Sequence, residues 1–238
     1  MILVFDAETG APAALLLDHG AITHLMTGAA GAVAAKHLAR ADAWSAWSGA
    51  ASRRAIRLRR STWSGPLREV RIWGRRSERA RARAAELASR PGMAERCRFV
   101  AVDSVREAVE GADMVVTVTP SREPLVRAEW IARGTHVTAV GSDGPEKREL
   151  FPEVLARADR VVADSKEQCL RLGEIHHAVA SGVLAENDVD AELGWSWSGH
   201  ARRGAPNASR SDLPGPTFSG DRESLFGPRP DSPCGRAA

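Results

Sequence analysis

Along the chain, short β-branched runs bounded by Gly, Pro and Asp alternate with longer mixed segments of helical spacing. The sharpest runs are Asp113-Met114-Val115-Val116-Thr117-Val118-Thr119-Pro120 and Thr135-His136-Val137-Thr138-Ala139-Val140, and the second opens onto Gly141-Ser142-Asp143-Gly144-Pro145-Glu146-Lys147. Apolar runs of this kind, flanked by helical patterns, predict parallel strands covered on both faces. Glu69–Trp73, Arg98–Val102 and Arg160–Asp164 read as further strands. Ser77–Ser89, with Ser77 as N-cap, Ser104–Gly111, Pro152–Ala158 and Lys166–Ser181, ended by Gly182, read as helices. This alternation over residues 68–182 predicts an α/β fold with a doubly wound parallel sheet. In such sheets ligands bind just beyond the carboxyl ends of the strands, where Thr119 and the Gly141–Lys147 loop fall.

The flanks follow other rules. Ile2–Phe5 and Ala14–Leu17 around Asp6-Ala7-Glu8-Thr9-Gly10 predict a β-hairpin, and an Ala-rich helix follows over about Ala21–Arg40. Gly28 and Gly31 on that helix would admit a close backbone neighbour, and Thr27 beside them reads from the residues alone as a packing threonine. Trp44-Ser45-Ala46-Trp47-Ser48-Gly49 then leads into Arg53-Arg54-Ala55-Ile56-Arg57-Leu58-Arg59-Arg60 and Trp63-Ser64-Gly65, with neither strand period nor an apolar helix face. So many arginines argue against a buried strand, and residues 44–65 are expected not to form a regular central one. After about Gly194 a mixture of Pro, Gly, Ser and Arg predicts a disordered tail.

Composition narrows the function classes. A net charge of +3 and a pI of about 9.1 would suit a nucleic-acid partner, but the basic residues concentrate in Arg53–Arg60, Arg68–Arg83 and the tail, without stacking aromatics. No nucleic-acid or membrane partner is expected, and neither a secretory leader nor a membrane-length apolar run is read in the chain, so a soluble cytoplasmic protein is expected. Cys97, Cys169 and Cys234 are isolated, without the spacing of a disulfide framework or a metal site. His176 and His177 are adjacent on one predicted helix and point apart, which suits a structural role better than a shared metal.

Several motifs together resemble the ornithine cyclodeaminase/mu-crystallin family. They are the hairpin with Asp6–Gly10, Thr27-Gly28-Ala29-Ala30, Thr117–Pro124, Gly134–Asp143 with Lys147-Arg148-Glu149-Leu150, Glu167-Gln168-Cys169 and Gly173-Glu174. The resemblance covers residues 1–40 and 66–193. It implies a Rossmann-type dinucleotide-binding domain over 66–193, with 1–40 as the hairpin-and-helix remnant of a second, substrate-holding and dimerising domain. Residues 41–65 would then stand in place of the first Rossmann strand and its glycine loop, and 194–238 would be the tail. The implied activity is NAD(P)-dependent cyclisation of ornithine, or reduction of an imine or oxo acid, on a small amino acid or cyclic imine, by a homodimer. In that resemblance Asp143 is the proton donor/acceptor, Val140, Gly141 and Ser142 line the nicotinamide, and Thr119 and Thr27 touch the cofactor. Lys147 neutralises nearby negative charge. A strand-end carboxylate beside a nicotinamide suits proton transfer coupled to hydride transfer, although Asp143 alone also reads as an Asx-turn residue. Glu174 is expected to pack near the cofactor.

The second Rossmann strand leaves through Gly74-Arg75-Arg76-Ser77 rather than through an acidic residue. Two guanidiniums at a helix N-terminus suit a 2′-phosphate and favour NADP over NAD, the alternative being a solvated arginine pair.

Three departures from the family pattern bear on activity. A preceding segment with basic residues that hold the substrate carboxylate is not matched, Met26 stands where the family places an arginine, and no GxGxxG or GxGxxA occurs between Arg40 and Pro66. One reading accounts for the last. Trp is encoded TGG and Ser commonly TCN, so a frame starting at the third base turns each Trp-Ser pair into a valine codon. With permissible codons Trp44–Arg54 then reads VGVVGCGVQA, a strand running into the missing fingerprint, and Trp195-Ser196-Trp197-Ser198 repeats the pattern. Two regions out of frame predict weak or absent cofactor binding for the chain as written. A non-catalytic, crystallin-like binding or vestigial protein stands as the alternative to an enzyme.

Overall fold

The computed structural model describes residues 1–40, 43, 45–49, 68–193 and 217–220, with the backbone alone described for 45–49 and 217–220. The N-terminal hairpin forms as expected, β1 (Ile2–Phe5) running antiparallel to β2 (Pro12–Leu16) with Ile2 opposite Leu16 and Leu3 opposite Leu15. Its turn is held by Asp6, whose Oδ1 accepts from the amides of Glu8 (3.1 Å) and Thr9 (2.7 Å) and from Thr9 Oγ1 (2.8 Å). Helix α1 (Ala21–Leu38) follows and buries Thr27, Ala32, Ala34 and Ala35. A Cβ at Gly31 would meet Thr138 Cγ2 at 3.7 Å, ordinary van der Waals contact, so the close approach expected of this helix does not require glycine there.

Among the described residues the main sheet has the order β5-β4-β3-β6-β7-β10-β8-β9, with every pairing parallel. Its strands are β3 (Ser45–Gly49), β4 (Glu69–Trp73), β5 (Arg98–Ala101), β6 (Met114–Thr117), β7 (His136–Ala139), β8 (Arg160–Ala163), β9 (Ala191–Glu192) and β10 (Thr217–Gly220). The helices between them are α2 (Ser77–Ala88), α3 (Val105–Val109), α4 (Glu153–Ala156), α5 (Lys166–Cys169) and α6 (Gly173–Ala180). Met114 and Val115, successive on β6 and so on opposite faces, belong to different apolar clusters. Met114 joins Ala35 of α1 and Ala80, Ala84 and Leu87 of α2, while Val115 joins Leu155 of α4 and Ile175 of α6. The sheet is therefore covered on both faces, the doubly wound arrangement predicted from the buried runs of β6 and β7.

Four expectations are corrected. Ser45–Gly49 forms a strand in the middle of the sheet, paired to β4 and β6, whereas residues 44–65 were expected to form none there. The arginines that argued against it begin at Arg53, past the strand's end, and the ladder bonds are made by backbone irrespective of side chain. Within the expected disordered tail, Thr217–Gly220 pairs with both β7 and β8, because the two strands leave between them room for one more donor–acceptor ladder. The remaining residues of both segments lie outside the described ones. The N-cap of α2 is Arg76, without a side-chain cap, and Ser77 is its first helical residue. The single helix expected over Lys166–Ser181 is broken into α5 and α6 at Gly173, whose φ of 79° lies in the left-handed region that an α-helix excludes.

Candidate functional site

The parallel strands β4, β3, β6 and β7 finish along one edge of the sheet. There the ladder runs one residue beyond the strands, Val140 N donating to Thr117 O at 3.0 Å, before the chain turns outward. The 140–147 loop carries one buried and one exposed polar end. Ser142 is fully buried, whereas the Asp143 side chain is 40% exposed and ion-paired with Lys147 Nζ one helical turn later in sequence. Lys147 N donates to Gly144 O (3.1 Å) and Arg148 N to Ser121 O (2.9 Å), which closes the loop against the segment following β6.

Two carboxyl groups hold this loop from beneath. Glu174, at the start of α6, accepts from Ser142 Oγ (2.5 Å) and from the amides of Glu149 (2.6 Å) and Leu150 (3.0 Å). Glu149 Oε1 accepts from Thr119 N at 2.5 Å, while Oε2 has no hydrogen-bond donor. Both residues are buried, at 0% exposure for Glu149 and 2% for Glu174. Burial, reinforced by the charge of Glu174, pushes the Glu149 carboxyl up to about 8. Burial also pushes Glu174 up to about 7, against the pull of its three donors and of Arg148. A Cβ on Gly141 would collide with Glu149 Oε2 and with the backbone of Thr119, so only glycine allows β7's exit to lie on this carboxyl. On α6, His177 Nε2 meets Lys147 O at 3.1 Å and His176 Nδ1 meets Leu170 O at 3.0 Å, so each imidazole is bonded to backbone.

The structure brings Thr119, Val140, Gly141, Ser142, Asp143 and Lys147 together at the ends of β6 and β7. Arg75, Arg76 and Ser77 lie exposed past the end of β4, three strands from β7, or about 14 Å along the same edge at normal strand spacing. Thr27 sits buried on α1, one turn before Gly31, and its Oγ1 donates to Thr23 O at 2.7 Å. Its hydroxyl is tied into its own helix. The stretch in which a glycine fingerprint was sought lies, beyond Gly49, outside the described residues. Glu174 was expected only to pack near the cofactor, and Glu149, though inside the quoted Lys147-Arg148-Glu149-Leu150 motif, was given no role. The helix-opening Gly173-Glu174 pair was the one legible signal, since nothing in the polar run Lys147-Arg148-Glu149 marks its third member as buried.

The profile of the "Ornithine cyclodeaminase/mu-crystallin family" matches residues 1–207. An uncharacterised cyclodeaminase of Sinorhizobium fredii is 45% identical over 195 residues, covering 82% of this chain and 58% of that protein. The alanine dehydrogenase of Archaeoglobus fulgidus is 36% identical over 197 residues, with the same coverage of 82% and 58%. Among solved structures, Thermococcus litoralis Δ1-pyrroline-2-carboxylate reductase in complex with NADH and L-proline superposes with a TM-score of 0.76 at 31% identity, over 92% of this chain and 65% of that one. An archaeal alanine dehydrogenase dimer with bound NAD gives a TM-score of 0.76 at 33% identity, over 92% and 64%. The chain thus spans about three fifths of the length of the relatives it matches. By profile, by sequence relatives and by superposition of a doubly wound sheet, it belongs to the ornithine cyclodeaminase/mu-crystallin family.

Proposed function

We propose that this chain carries the nucleotide-side half of an NADP-dependent enzyme of the cyclodeaminase and ketimine reductase type, acting on a small amino acid or its cyclic imine. The observation that carries the reading is an exposed carboxylate, Asp143, held by an ion pair to Lys147 on a loop that is itself anchored from below at the carboxyl ends of two central parallel strands. The pyridine nucleotide would supply or accept the hydride. Asp143 gives a proton to the imine nitrogen in reduction and takes one in the reverse direction. Thr119, Val140, Gly141 and Ser142 form the floor against which the nicotinamide rests, and Lys147 fixes the carboxylate in place. Arg75 and Arg76, exposed at the N-terminus of the twelve-residue helix α2, receive the 2′-phosphate, which supports NADP; the two solved relatives described above hold NADH and NAD. The family's homodimer and its substrate class come to this chain by the same reading.

A second reading rests on the missing glycine fingerprint: a protein that keeps the scaffold and has lost catalysis. One experiment separates the two. The purified chain is assayed with NADPH against Δ1-pyrroline-2-carboxylate and against pyruvate with ammonia, and with NADP against ornithine, beside Asp143→Asn. Turnover that falls about 100-fold or more in the variant supports the enzyme. No turnover, together with unchanged tryptophan fluorescence on NADPH addition, supports the vestigial protein.

A further inference from the structure

We propose that Glu149 and Glu174 are a carboxylic acid–carboxylate pair that positions the Asp143 loop, with Glu174 as the anion receiving three hydrogen bonds and Glu149 as the neutral acid. The inference deepens the reading of this loop as the working edge of the sheet, and its evidence is geometric. The fixed peptide donors divide unequally: Glu174 takes the amides of Glu149 and Leu150 and also the hydroxyl of Ser142, whereas one amide, that of Thr119, reaches Glu149. Three donors, two of them peptide N–H groups fixed by the fold, favour the charged form of a buried carboxyl. Glu149 Oε1 receives the amide of Thr119, and its Oε2 is buried without a fixed donor, with the rotatable hydroxyls of Thr117 and Thr119 beside the carboxyl. Oε2 and the carbonyl oxygen of Thr119 converge on the point where residue 141 would carry a Cβ. An anionic Oε2 there would face a carbonyl dipole of the same sign, whereas a protonated one becomes a donor. Thr117 Oγ1, also buried and unpartnered, lies beside the same carboxyl and can donate to it or accept from it. One proton on Oε2 removes the mismatch between that oxygen and the Thr119 carbonyl.

The surrounding charges do not supply an alternative. Arg148 lies near Glu174 and favours its anion, Lys147 is paired with Asp143, and His177 is bonded to the Lys147 carbonyl. From β6 only the hydroxyl groups and backbone of Thr117 and Thr119 face Glu149. Burial raises both carboxyls, and Glu149, which also faces the charge of Glu174, is raised the further of the two, so the first proton of the pair leaves from Glu174. Both residues are thus positioning residues, acting on Asp143 through Gly141 and Ser142.

The proposal distinguishes the two sites by the same substitution. Glutamine mimics a neutral acid but cannot accept the converging donors of an anion, so Glu149→Gln should be tolerated and Glu174→Gln should not. The sign of the pH dependence follows from Glu149's folded pKa lying above its unfolded value of 4.5. Stability from the neutral acid is fully present below about 4.5 and is lost as pH rises toward about 8.

The experiment uses the full 238-residue chain without ligand, so its outcome is independent of whether the enzymatic reading holds. Hydrogen exchange of the 140–147 loop, corrected for intrinsic rates, and thermal midpoints are measured at pH 6 and pH 9 for the native chain, Glu149→Gln and Glu174→Gln. The native loop should lose roughly tenfold protection at pH 9 and its midpoint should drop by about 5 °C or more relative to Glu149→Gln, which stays protected. Glu174→Gln should be about tenfold less protected at both pH values. Should that variant not fold, Ser142→Ala reads the same contact from the loop and should lose several-fold protection with the fold retained. Equal loosening by the two glutamines at pH 6, a native loop that follows Glu149→Gln through pH 9, or full protection in Ser142→Ala would each overturn the proposal.

Discussion

At the scale of single residues, the edge of the sheet is shaped by what is absent from Gly141. The missing Cβ leaves the space in which a buried carboxyl and the Thr119 backbone meet. Gly141→Ala has no flexible neighbour to displace, because two of its three contacts are main-chain atoms, and it should cost about 3 kcal/mol by overpacking. A chain of this length loses roughly 2–4 °C of thermal midpoint per kcal/mol, so calorimetry should read a drop near 10 °C. A midpoint within a degree of the native value would mean that the strand end gives way more easily than its geometry allows. At the far end of the same edge, Arg75→Ser with Arg76→Ser tests the phosphate reading. NADP affinity should fall about tenfold or more while NAD affinity holds, measured by fluorescence titration. Equal losses for both nucleotides would return the pair to solvated arginines.

Among the elements, strands were more legible than the way helices stop. The β6 and β7 runs stood out because continuous β-branched residues bounded by Gly and Pro suit a strand buried on both faces, and both strands are buried along nearly all their length. Lys166–Ser181 read as one helix because its apolar spacing continues through the break. The interruption lies in the backbone angles of Leu172, which is extended, and of Gly173, which is left-handed, and periodicity encodes neither. That break starts α6 where it does and so places Glu174 beneath the loop. Gly173→Ala would force an L-residue to a φ of 79°, costing about 1–2 kcal/mol, and chemical denaturation should show that loss with an unchanged slope. The exposed members of the candidate site were readable as a motif. Its buried carboxyls were not, since Glu149 and Glu174 are 25 residues apart in sequence and only the packing of α6 against the loop makes them neighbours.

For the whole molecule, the central question is what occupies the middle of the sheet. Ser45–Gly49 takes the place between β4 and β6, and its register, Ala46 opposite Met114 and Ser48 opposite Val116, aligns the Trp-Ser repeat with the strand that a shifted frame would write as valine and glycine. The coding DNA across codons 40–66 is therefore expected to yield a strand followed by GxGxxA in the alternative frame. Codons incompatible with that fingerprint would make the segment native as written. A chain carrying the re-read segment should bind NADPH about tenfold or more tightly than the chain as written, read by tryptophan quenching.

The placement of β10 has its own consequence. β7 and β8 follow one another in the chain with a single short helix between them, yet they are not hydrogen-bonded to each other; residues 217–220, more than fifty positions later, pair with both. During synthesis the sheet therefore cannot zip from one margin to the other in the order the ribosome delivers it. The β8–β9 margin must wait, its inner rim unsaturated, until residues 217–220 emerge, which exposes that rim to proteases and to wrong partners while the protein is being made.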